Sequence, residues 1–354
     1  MDGIRILGLP QARRWRRPLN WARALRLALR CRADVYHIHD PELLLIAPLI
    51  RLLSRRPVIY DAHELVGSNV QLKEWLPRRL RVTLGRIAGR AEHALKRAVN
   101  AVVYVSPPQH ALYADLQPTV PVVLVANYPV RDDYVDAVRE QRTAAAVFIG
   151  GLTEARGIPV LLRAFKRVIG AILDAQLWLV GPATPPSYEE WIRAWAGSHG
   201  VVDAVHLFGR IPFASVKPLL VRSAVGIVTY LPVGDYPESL PTKLFEYMAS
   251  GLPCVCSNIP LWADIVERAG CGLIVDPSDA SAVAEEIIYL LEHPHEAAEM
   301  GRRGREAFLA HYTWEQEGAK LVAVYEQLDL PPSTLPLTGA EIERVCSAIG
   351  RMLG

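Results

Sequence analysis

Short apolar runs rich in β-branched residues alternate with amphipathic helical patterns along most of this 354-residue chain. Such alternation predicts parallel sheets that are covered by helices. The runs that we interpret as strands are Asp34–His39, Pro57–Tyr60, Ala101–Val105, Pro121–Val125, Ala145–Ile149, Gln176–Val180, Ala204–Phe208, Val225–Thr229, Cys254–Ser257 and Gly272–Val275. The chain is too long for one typical core, so we expect two doubly wound α/β domains. Ligands of such sheets bind at the carboxyl ends of the strands, which predicts a cleft there.

The predicted domain boundary is a polar segment that contains Pro129 and several Asp residues. We place the first domain at residues 1–130 and the second at residues 143–315. A terminal helix is expected over residues 316–330. Residues 331–354 are expected to form a linker and a short helix.

Composition narrows the class of protein. Hydrophobic residues make up 51% of the chain and charged residues 21%, which is typical of a globular protein. We find no apolar run of membrane-spanning length and no signal-peptide pattern. The five cysteines lack disulfide or zinc spacing, so we expect reduced thiols in a cytoplasmic protein. Residues 1–130 hold 20 Lys and Arg against 9 Asp and Glu, which predicts an anionic partner for the first domain.

A short stretch in the second half carries the strongest chemical signal. A helix is expected from about Thr242 to Ser250. Ser239 is predicted to cap this helix, Pro241 to occupy its first helical position, and Gly251 to end it. The free amides and the positive dipole end at such a helix start bind phosphate well.

Two carboxylates flank the predicted helix start. Glu238 lies on the loop before the helix, Glu246 lies in its early turns, and Lys243 is on the same side as Glu246. This arrangement suits a sugar nucleotide, because one acid can bind sugar hydroxyls, the other the ribose, and the amides the diphosphate between them. A surface helix with a solvated Glu–Lys pair is the alternative interpretation.

The stretch Tyr236–Val255 resembles the E-x7-E motif of retaining glycosyltransferases of family GT4, which have the GT-B fold. The resemblance implies two Rossmann-like domains that face a cleft, with the terminal helix returning to the first domain. It also implies a metal-independent enzyme with no cofactor, whose co-substrate is a nucleotide-sugar donor, UDP being favoured over GDP. Glu238 would be catalytic by holding sugar hydroxyls, and Glu246 would bind the ribose. The other residues implied to bind the donor at the helix start are Ser239, Leu240, Thr242 and Lys243.

The loop after the strand Ala145–Ile149 resembles the first donor-binding loop of the same family. Gly150 and Gly151 let the backbone approach phosphates, and Arg156 can clamp two phosphate oxygens. The family usually has Arg where this chain has Gly151, so Lys243 is expected to supply the missing charge. The residues that resemble the family's base-contacting stretch are Arg210 and Ile211. An ordinary tight turn and an exposed strand-end Arg are the alternatives for these two segments.

Imidazole and carboxylate groups follow two predicted strands of the first half. His37 and His39 share a strand face, and His37 is expected to be structural. His63 resembles the family's cleft histidine, which implies a catalytic role near the transferred sugar. We expect His39, Asp40 and Glu64 on the acceptor side. A metal site built from these groups is the less favoured interpretation, because the family uses amides and cations instead.

The N-terminal part departs from the family's pattern. Most members have an extra strand, a glycine-rich loop and a helix before the region that corresponds to Arg5–Pro10, so we expect a shortened N-terminal domain. Residues 13–30 form a basic amphipathic segment, which could lie on an anionic membrane surface or pack on the sheet with its Arg side chains in solvent. Its predicted apolar stripe consists of Leu19, Ala22, Leu25 and Leu29.

The resemblance to GT4 implies a retaining glycosyltransferase that acts in polysaccharide, lipopolysaccharide or glycolipid biosynthesis. The expected partners are a nucleotide sugar and a glycan or lipid-linked acceptor, and no nucleic acid. The expected location is the cytoplasm, with peripheral attachment at the inner face of the plasma membrane as an option. Two alternatives stay open. One is a GT-B-fold sugar-nucleotide epimerase, and the other is a non-catalytic nucleotide-sugar-binding partner with an incomplete first domain.

Overall fold

The structure is a computed structural model of the chain. It describes residues 6–9, 17–63, 77–116, 119–134 and 142–328. These residues form two compact units, each built around its own parallel sheet. The first unit contains the described residues up to Asn127 together with those from Glu315 onward, and the second runs from Tyr128 to Trp314.

The first unit contains a four-stranded parallel sheet with the order β1–β2–β3–β4. Its strands are β1 (Tyr36–Ile38), β2 (Val58–Ala62), β3 (Ala101–Tyr104) and β4 (Val122–Leu124). Its helices before β4 are α1 (Arg17–Cys31), α2 (Ala47–Ser54), α3 (Arg78–Leu95) and α4 (His110–Tyr113). Because all four strands are parallel, their carboxyl ends lie along one edge of the sheet.

Helix α1 packs against the core of the first unit through a face that differs from the predicted one. Trp21, Ala24, Leu25 and Ala28 contact this core, with the spacing of one helix face. Leu19, which belongs to the predicted apolar stripe, is 54% exposed. Ala and Leu occur on both faces of α1, so the bulky Trp21 is the residue that distinguishes the buried face.

The second unit contains a six-stranded parallel sheet with the order β10–β9–β8–β5–β6–β7. Its strands are β5 (Ala145–Ile149), β6 (Gln176–Val180), β7 (Val205–Gly209), β8 (Val225–Val228), β9 (Cys254–Ser257) and β10 (Gly272–Val275). Numbered within the unit, the strands follow the 3-2-1-4-5-6 order of dinucleotide-binding sheets. The order reverses between β5 and β8, and ligands of such sheets bind beyond the carboxyl ends of the strands at this point.

The helices of the second unit cover a sheet that is buried on both faces. They are α5 (Ile158–Ala171), α6 (Ser187–Ser198), α7 (Phe213–Arg222), α8 (Thr242–Ala249), α9 (Pro260–Ala269), α10 (Ala280–Glu292) and α11 (Pro294–His311), and α12 (Trp314–Glu326) follows them. All ten predicted strands are present within two residues of their predicted bounds, which confirms the α/β fold with two Rossmann-like units. Within the described parts of the chain, none of the helices is long and apolar enough to cross a membrane.

Candidate functional site

Two glycines shape the loop after β5. Gly150 has a φ of +119°, and a Cβ at this position would lie 2.9 Å from Arg156 Nη1. Gly150 N donates to Val180 O at 2.8 Å, and a Cβ on Gly181 would lie only 2.1 Å from Gly150 O. Side chains at these two positions would therefore separate the loops that follow β5 and β6, which are in direct contact.

Arg156 lies beside this loop and is fixed from several directions. Its Nη1 donates to Gly151 O at 3.2 Å, and its Nε donates to the Tyr236 hydroxyl at 3.4 Å. Its guanidinium carbon lies 5.2 Å from the ring centroid of Tyr230, which is a cation–π contact. A guanidinium has five N–H donors, so donors remain available for an anion such as a phosphate.

Lys243, the second residue of α8, is buried against aromatic rings. The residue is 5% exposed, and its Nζ lies 3.3 Å from the ring centroid of Phe148 and 4.8 Å from that of Tyr230. Within the described part of the chain, Nζ has no hydrogen-bond partner. Burial lowers the pKa of Lys243, Arg156 lowers it further, and Glu246 opposes both effects. A buried ammonium group without an acceptor is costly, so this position is suited to an anionic ligand.

The start of α8 differs in part from the prediction. The helix begins at Thr242 as expected, but Pro241 has an extended backbone and is the N-cap, not the first helical residue. Ser239 does not cap the helix either. Its Oγ donates to Tyr236 O at 3.2 Å, and its carbonyl accepts a bond from Trp262 Nε1 at 2.6 Å. The helix start therefore has no side-chain cap, which leaves its positive end to a ligand.

The two acids of the motif have different surroundings. Glu246 lies on α8 one turn after Lys243 and is half-buried. Burial raises the pKa of Glu246 to about 7, although the charge of Lys243 opposes this shift. Glu238 ends a short 3-10 helix, Tyr236–Glu238, and is exposed. Near neutral pH Glu246 can therefore donate as well as accept a hydrogen bond, which suits recognition of a hydroxyl group.

The structure brings part of the predicted donor site together. A Cβ on Gly150 would contact both cations, since it would also lie 3.5 Å from Lys243 Nζ. Gly150, Arg156 and Lys243 thus meet where the strand order reverses. Arg210 and Ile211 follow β7, which is an edge strand of the sheet. Strand β6 lies between β7 and β5. The sheet order alone does not bring these two residues to the cations.

The aromatic residues around the two cations are not among the site residues predicted from the sequence. Phe148 lies in β5, Tyr230 follows β8, and Tyr236 opens the short 3-10 helix. The ring centroids of Tyr230 and Tyr236 are 4.8 Å apart. Aromatic faces attract cations but carry no opposite net charge, so the rings leave both side chains available to an anion. A signal exists in the sequence, because Phe148 and Tyr230 lie at the ends of the two strands that flank the reversal.

Four side chains at the carboxyl ends of β1 and β2 meet in the first unit. His37 Nε2 and His39 Nδ1 each lie 3.3 Å from Asp61 Oδ2, and His63 Nε2 lies 3.3 Å from Asp61 Oδ1. His39 Nδ1 and His63 Nε2 are 2.9 Å apart. Burial alone would raise the pKa of Asp61, but hydrogen bonds and charge from the histidines outweigh it and lower this pKa. The predicted residues His39 and His63 thus share an acid, Asp61, that the sequence analysis does not select.

The remaining predicted residues of the first unit have separate positions. His37 Nδ1 lies 2.7 Å from the Tyr325 hydroxyl of α12, a contact that fixes the imidazole. Asp40 caps the short 3-10 helix Pro41–Leu45, because its Oδ1 accepts a bond from Glu42 N at 3.0 Å. Glu64 lies outside the described residues. Asp61 and His63 alternate with the period of a strand, which is the signal that links them in the sequence.

Two family models match this chain. The model described as "Glycosyl transferase 4-like domain" matches residues 1–128, and the model described as "Glycosyl transferases group 1" matches residues 143–293. Together with the two parallel-sheet units, these matches define a glycosyltransferase of the GT-B fold. The chain belongs to family GT4 of these enzymes.

Individual proteins agree with this assignment. The chain is 25% identical over 314 residues to a phosphatidyl-myo-inositol mannosyltransferase of Mycobacterium leprae, covering 83% of this chain and 73% of the relative. It is 30% identical over 173 residues to an MMP alpha-(1->4)-mannosyltransferase of Mycolicibacterium hassiacum, covering 49% of this chain and 40% of that relative. Transferase families and relatives favour sugar transfer over the epimerase alternative.

Solved structures show the same fold. HepE of Anabaena, in a structure with UDP, superposes with a TM-score of 0.69 at 16% identity, covering 88% of this chain and 82% of HepE. Sucrose-phosphate synthase of Thermosynechococcus elongatus superposes with a TM-score of 0.65 at 20% identity, covering 88% of this chain and 77% of that protein.

Proposed function

We propose that this glycosyltransferase moves a sugar from a nucleoside diphosphate to an acceptor hydroxyl with retention of the anomeric configuration. The observation that carries the proposal is the buried ammonium group of Lys243, which has no acceptor among the described residues and lies beside Gly150. A diphosphate at this point would supply the missing anion. The bare glycine backbone gives it room to approach.

In this proposal, four kinds of group bind different parts of the donor. Arg156 and Lys243 bind the diphosphate from two sides, and the uncapped start of α8 adds its positive dipole. Glu246 binds the ribose hydroxyls. Glu238, which is exposed, holds hydroxyls of the transferred sugar. Catalysis then comes mainly from stabilising the departing diphosphate and from orienting the two substrates.

The donor-binding role needs no metal in this proposal, because two cationic side chains replace the usual metal at the diphosphate. We assign His63, His39, Asp40 and Glu64 of the first unit to the acceptor in this proposal. Retention would follow if the acceptor attacks the face from which the diphosphate departs. The test is the anomeric configuration of the product, together with initial rates measured with and without Mg²⁺. An inverted product would contradict the retaining mechanism, and a strict need for Mg²⁺ would contradict the metal-free donor site.

The proposal also covers the nucleotide base of the donor. We favour UDP, because the structure of HepE is that of a complex with UDP. A relative from Corynebacterium glutamicum, 29% identical over 177 residues, is named GDP-mannose-dependent. Thermal-shift measurements with UDP-glucose and GDP-mannose decide between them. A shift with the UDP-sugar alone supports our choice, and a shift with GDP-mannose alone overturns it.

We further propose a lipid-linked acceptor at an anionic membrane surface, with cytoplasmic, peripheral attachment of the enzyme. The segment 13–30 is the expected contact, but the described apolar face of α1 packs on the core. Helix α3 offers an alternative. Its Leu80, Leu84 and Ile87 share one face and are 50%, 39% and 54% exposed.

Charge supports α3 as the membrane-facing helix. Arg86 and Arg90 are exposed beside the apolar face. The acid of this helix, Glu92, is turned inward and accepts bonds from the hydroxyls of Tyr60 at 3.1 Å and Tyr113 at 2.8 Å. An exposed face with Arg and apolar side chains suits the surface of an anionic bilayer.

Vesicle co-sedimentation distinguishes the two helices. We expect binding to phosphatidylglycerol vesicles but not to phosphatidylcholine vesicles, and loss of binding in an Arg86→Glu, Arg90→Glu variant. The matched control is Arg23→Glu, Arg26→Glu on α1, which should bind like the wild type. Loss of binding in the α1 variant alone would assign the contact to residues 13–30. Equal sedimentation with both lipids would remove the membrane proposal.

A further inference from the structure

The cluster of His37, His39, Asp61 and His63 has a chemistry that the proposed donor site does not use. Three imidazoles and one carboxylate converge within one part of the first unit. One ligand atom from each of His37, His39 and Asp61 lies within 4.8 Å of the other two. This arrangement could be a hydrogen-bonded network or a metal site, and the distances separate the two.

Hydrogen bonding alone accounts poorly for the distances. Charge-assisted bonds between an imidazolium and a carboxylate are about 2.7–2.9 Å long. All three imidazole–carboxylate contacts here are 3.3 Å. Among the described residues, His37 Nε2 and Asp61 Oδ1 are buried without a hydrogen bond of good geometry. His39 Nδ1 and His63 Nε2 are hydrogen-bonded to each other at 2.9 Å, and each nitrogen also faces the carboxylate at 3.3 Å.

The same distances fit ligands that surround one ion. Nitrogen and oxygen ligands lie about 2.0–2.1 Å from Zn²⁺, so two ligand atoms of a tetrahedral site are about 3.3 Å apart. His37 Nε2 and His39 Nδ1 both have this separation from Asp61 Oδ2. Two of the three separations among these atoms thus match the edges of one coordination shell, and the third, between His37 Nε2 and His39 Nδ1, is within 4.8 Å.

The surroundings of the cluster also fit a metal site. Imidazole ligands usually use their second ring nitrogen to hold a neighbouring group, which fixes the ring. His37 does this, because its Nδ1 lies 2.7 Å from the Tyr325 hydroxyl while its Nε2 faces Asp61. The side chain of Asp61 is 8% exposed, whereas that of His39 is 45% exposed. The ligand set is thus held from inside and accessible to solvent on the His39 side.

We propose that the first unit binds a divalent transition-metal ion of the zinc class through His37 Nε2, His39 Nδ1 and the Asp61 carboxylate, with His63 beside them. Imidazole-rich sets with one carboxylate favour such ions over Mg²⁺ and Ca²⁺, which prefer oxygen ligands. The ion links the ends of β1 and β2 and keeps a coordination position open near His63. This site uses other residues than the proposed diphosphate site, so either proposal can fail without the other.

Metal binding by the full, untagged chain tests the proposal. After treatment with a chelator and dialysis, calorimetric titration with Zn²⁺ should give a single tight site, and Mg²⁺ should give none. Co²⁺ in place of Zn²⁺ should give the visible absorption of a cobalt ion with nitrogen ligands. His39→Gln should weaken Zn²⁺ binding by at least about 10–100-fold. Zn²⁺ should raise the Tm of the wild type and not that of His39→Gln.

Matched variants keep the test decisive. His93→Ala, which removes an exposed imidazole 3.7 Å from Asp115 in the same unit, should bind Zn²⁺ like the wild type. Asp61→Asn should lose binding, and circular dichroism shows whether it is folded. Because His39 is partly exposed, His39→Gln is the variant expected to fold normally. Absence of tight Zn²⁺ binding by the wild type, or wild-type affinity in His39→Gln, would overturn the proposal.

Discussion

Asp61 in the first unit and Lys243 in the second are both buried, charged side chains, yet their surroundings are opposite. Three imidazoles lie within 3.3 Å of the Asp61 carboxylate. Two aromatic rings face Lys243 Nζ, which has no hydrogen-bond partner in the described part of the chain. The pKa of Asp61 is lowered by partners that favour its charge, whereas the pKa of Lys243 is lowered mainly by burial, which disfavours its charge.

Two parallel sheets can therefore carry buried side chains of opposite charge in opposite surroundings. At the ends of β1 and β2 the chain surrounds an acid with groups that stabilise it. Around β5 and β8 the chain buries the ammonium group of Lys243, which has no hydrogen-bond acceptor among the described residues. The first arrangement gives the buried acid partners within the chain before any ion binds, whereas the second is completed only by an anionic ligand.

The largest expected effect is that of Lys243→Met. We expect kcat/KM for the donor to fall by about 100- to 1,000-fold, because the variant lacks one positive charge that stabilises the departing diphosphate. The free energy of unfolding without ligand should stay the same or rise by about 1 kcal/mol or more, because an unpaired buried charge is replaced by an apolar side chain. Nucleoside diphosphate release and urea unfolding measure the two quantities.

The control for this substitution is Lys166→Met on α5. Lys166 is exposed, so both donor kinetics and stability should stay near those of the wild type. A Lys243→Met variant with wild-type kinetics would contradict the diphosphate role. Strong destabilisation without ligand would show that the ammonium group has a partner within the protein.

Asp61→Asn should act in the opposite direction on stability. We expect a loss of about 1–3 kcal/mol in the free energy of unfolding at neutral pH, because three imidazoles lose a charged, buried partner. The pKa of Asp61 is lower in the folded chain, so its contribution is present above its unfolded pKa of about 3.9 and is lost as pH falls through the folded pKa. Urea unfolding in a chelating buffer measures this term without bound metal. Equal stability of both proteins at neutral pH would contradict the pairing.

The smallest expected effect is the pH dependence from Glu246. Its pKa is raised to about 7 in the folded chain, so the folded state binds an extra proton between the unfolded pKa and 7. Stability should therefore fall as pH rises through this window, by about 1–2 kcal/mol after allowance for partial exposure. Glu246→Gln should remove this slope. If the free energy of unfolding changed equally with pH in the wild type and in Glu246→Gln, the raised pKa of Glu246 would be contradicted.

Local patterns predict the fold and the motif well. Short continuous apolar runs place all ten strands, because strands buried in parallel sheets need continuous apolar side chains. The start of α8 at Thr242 is also confirmed, as is its end before Gly251, whose φ is +60°. These features depend on residues that are close in the sequence.

Features that depend on distant residues are predicted less well. Ser239, the expected cap, instead accepts a bond at its carbonyl from Trp262, which lies on another helix. The buried face of α1 depends on which helix face meets the sheet, and Trp21 lies on the face that the predicted stripe omits. Asp61 gains its importance from His37 and His39 on a different strand. In each case the deciding contact joins separate elements, and residue spacing does not reveal it.

The most direct test of the account is the pKa of Lys243, measured by NMR on lysine-labelled protein with Lys243→Met for assignment. We predict a pKa well below the ordinary value of about 10.4 in the free chain, and a rise of at least about one unit when a nucleoside diphosphate binds. An ordinary pKa in the free chain, or a pKa that stays the same in the complex, would contradict the claim that Lys243 binds the diphosphate.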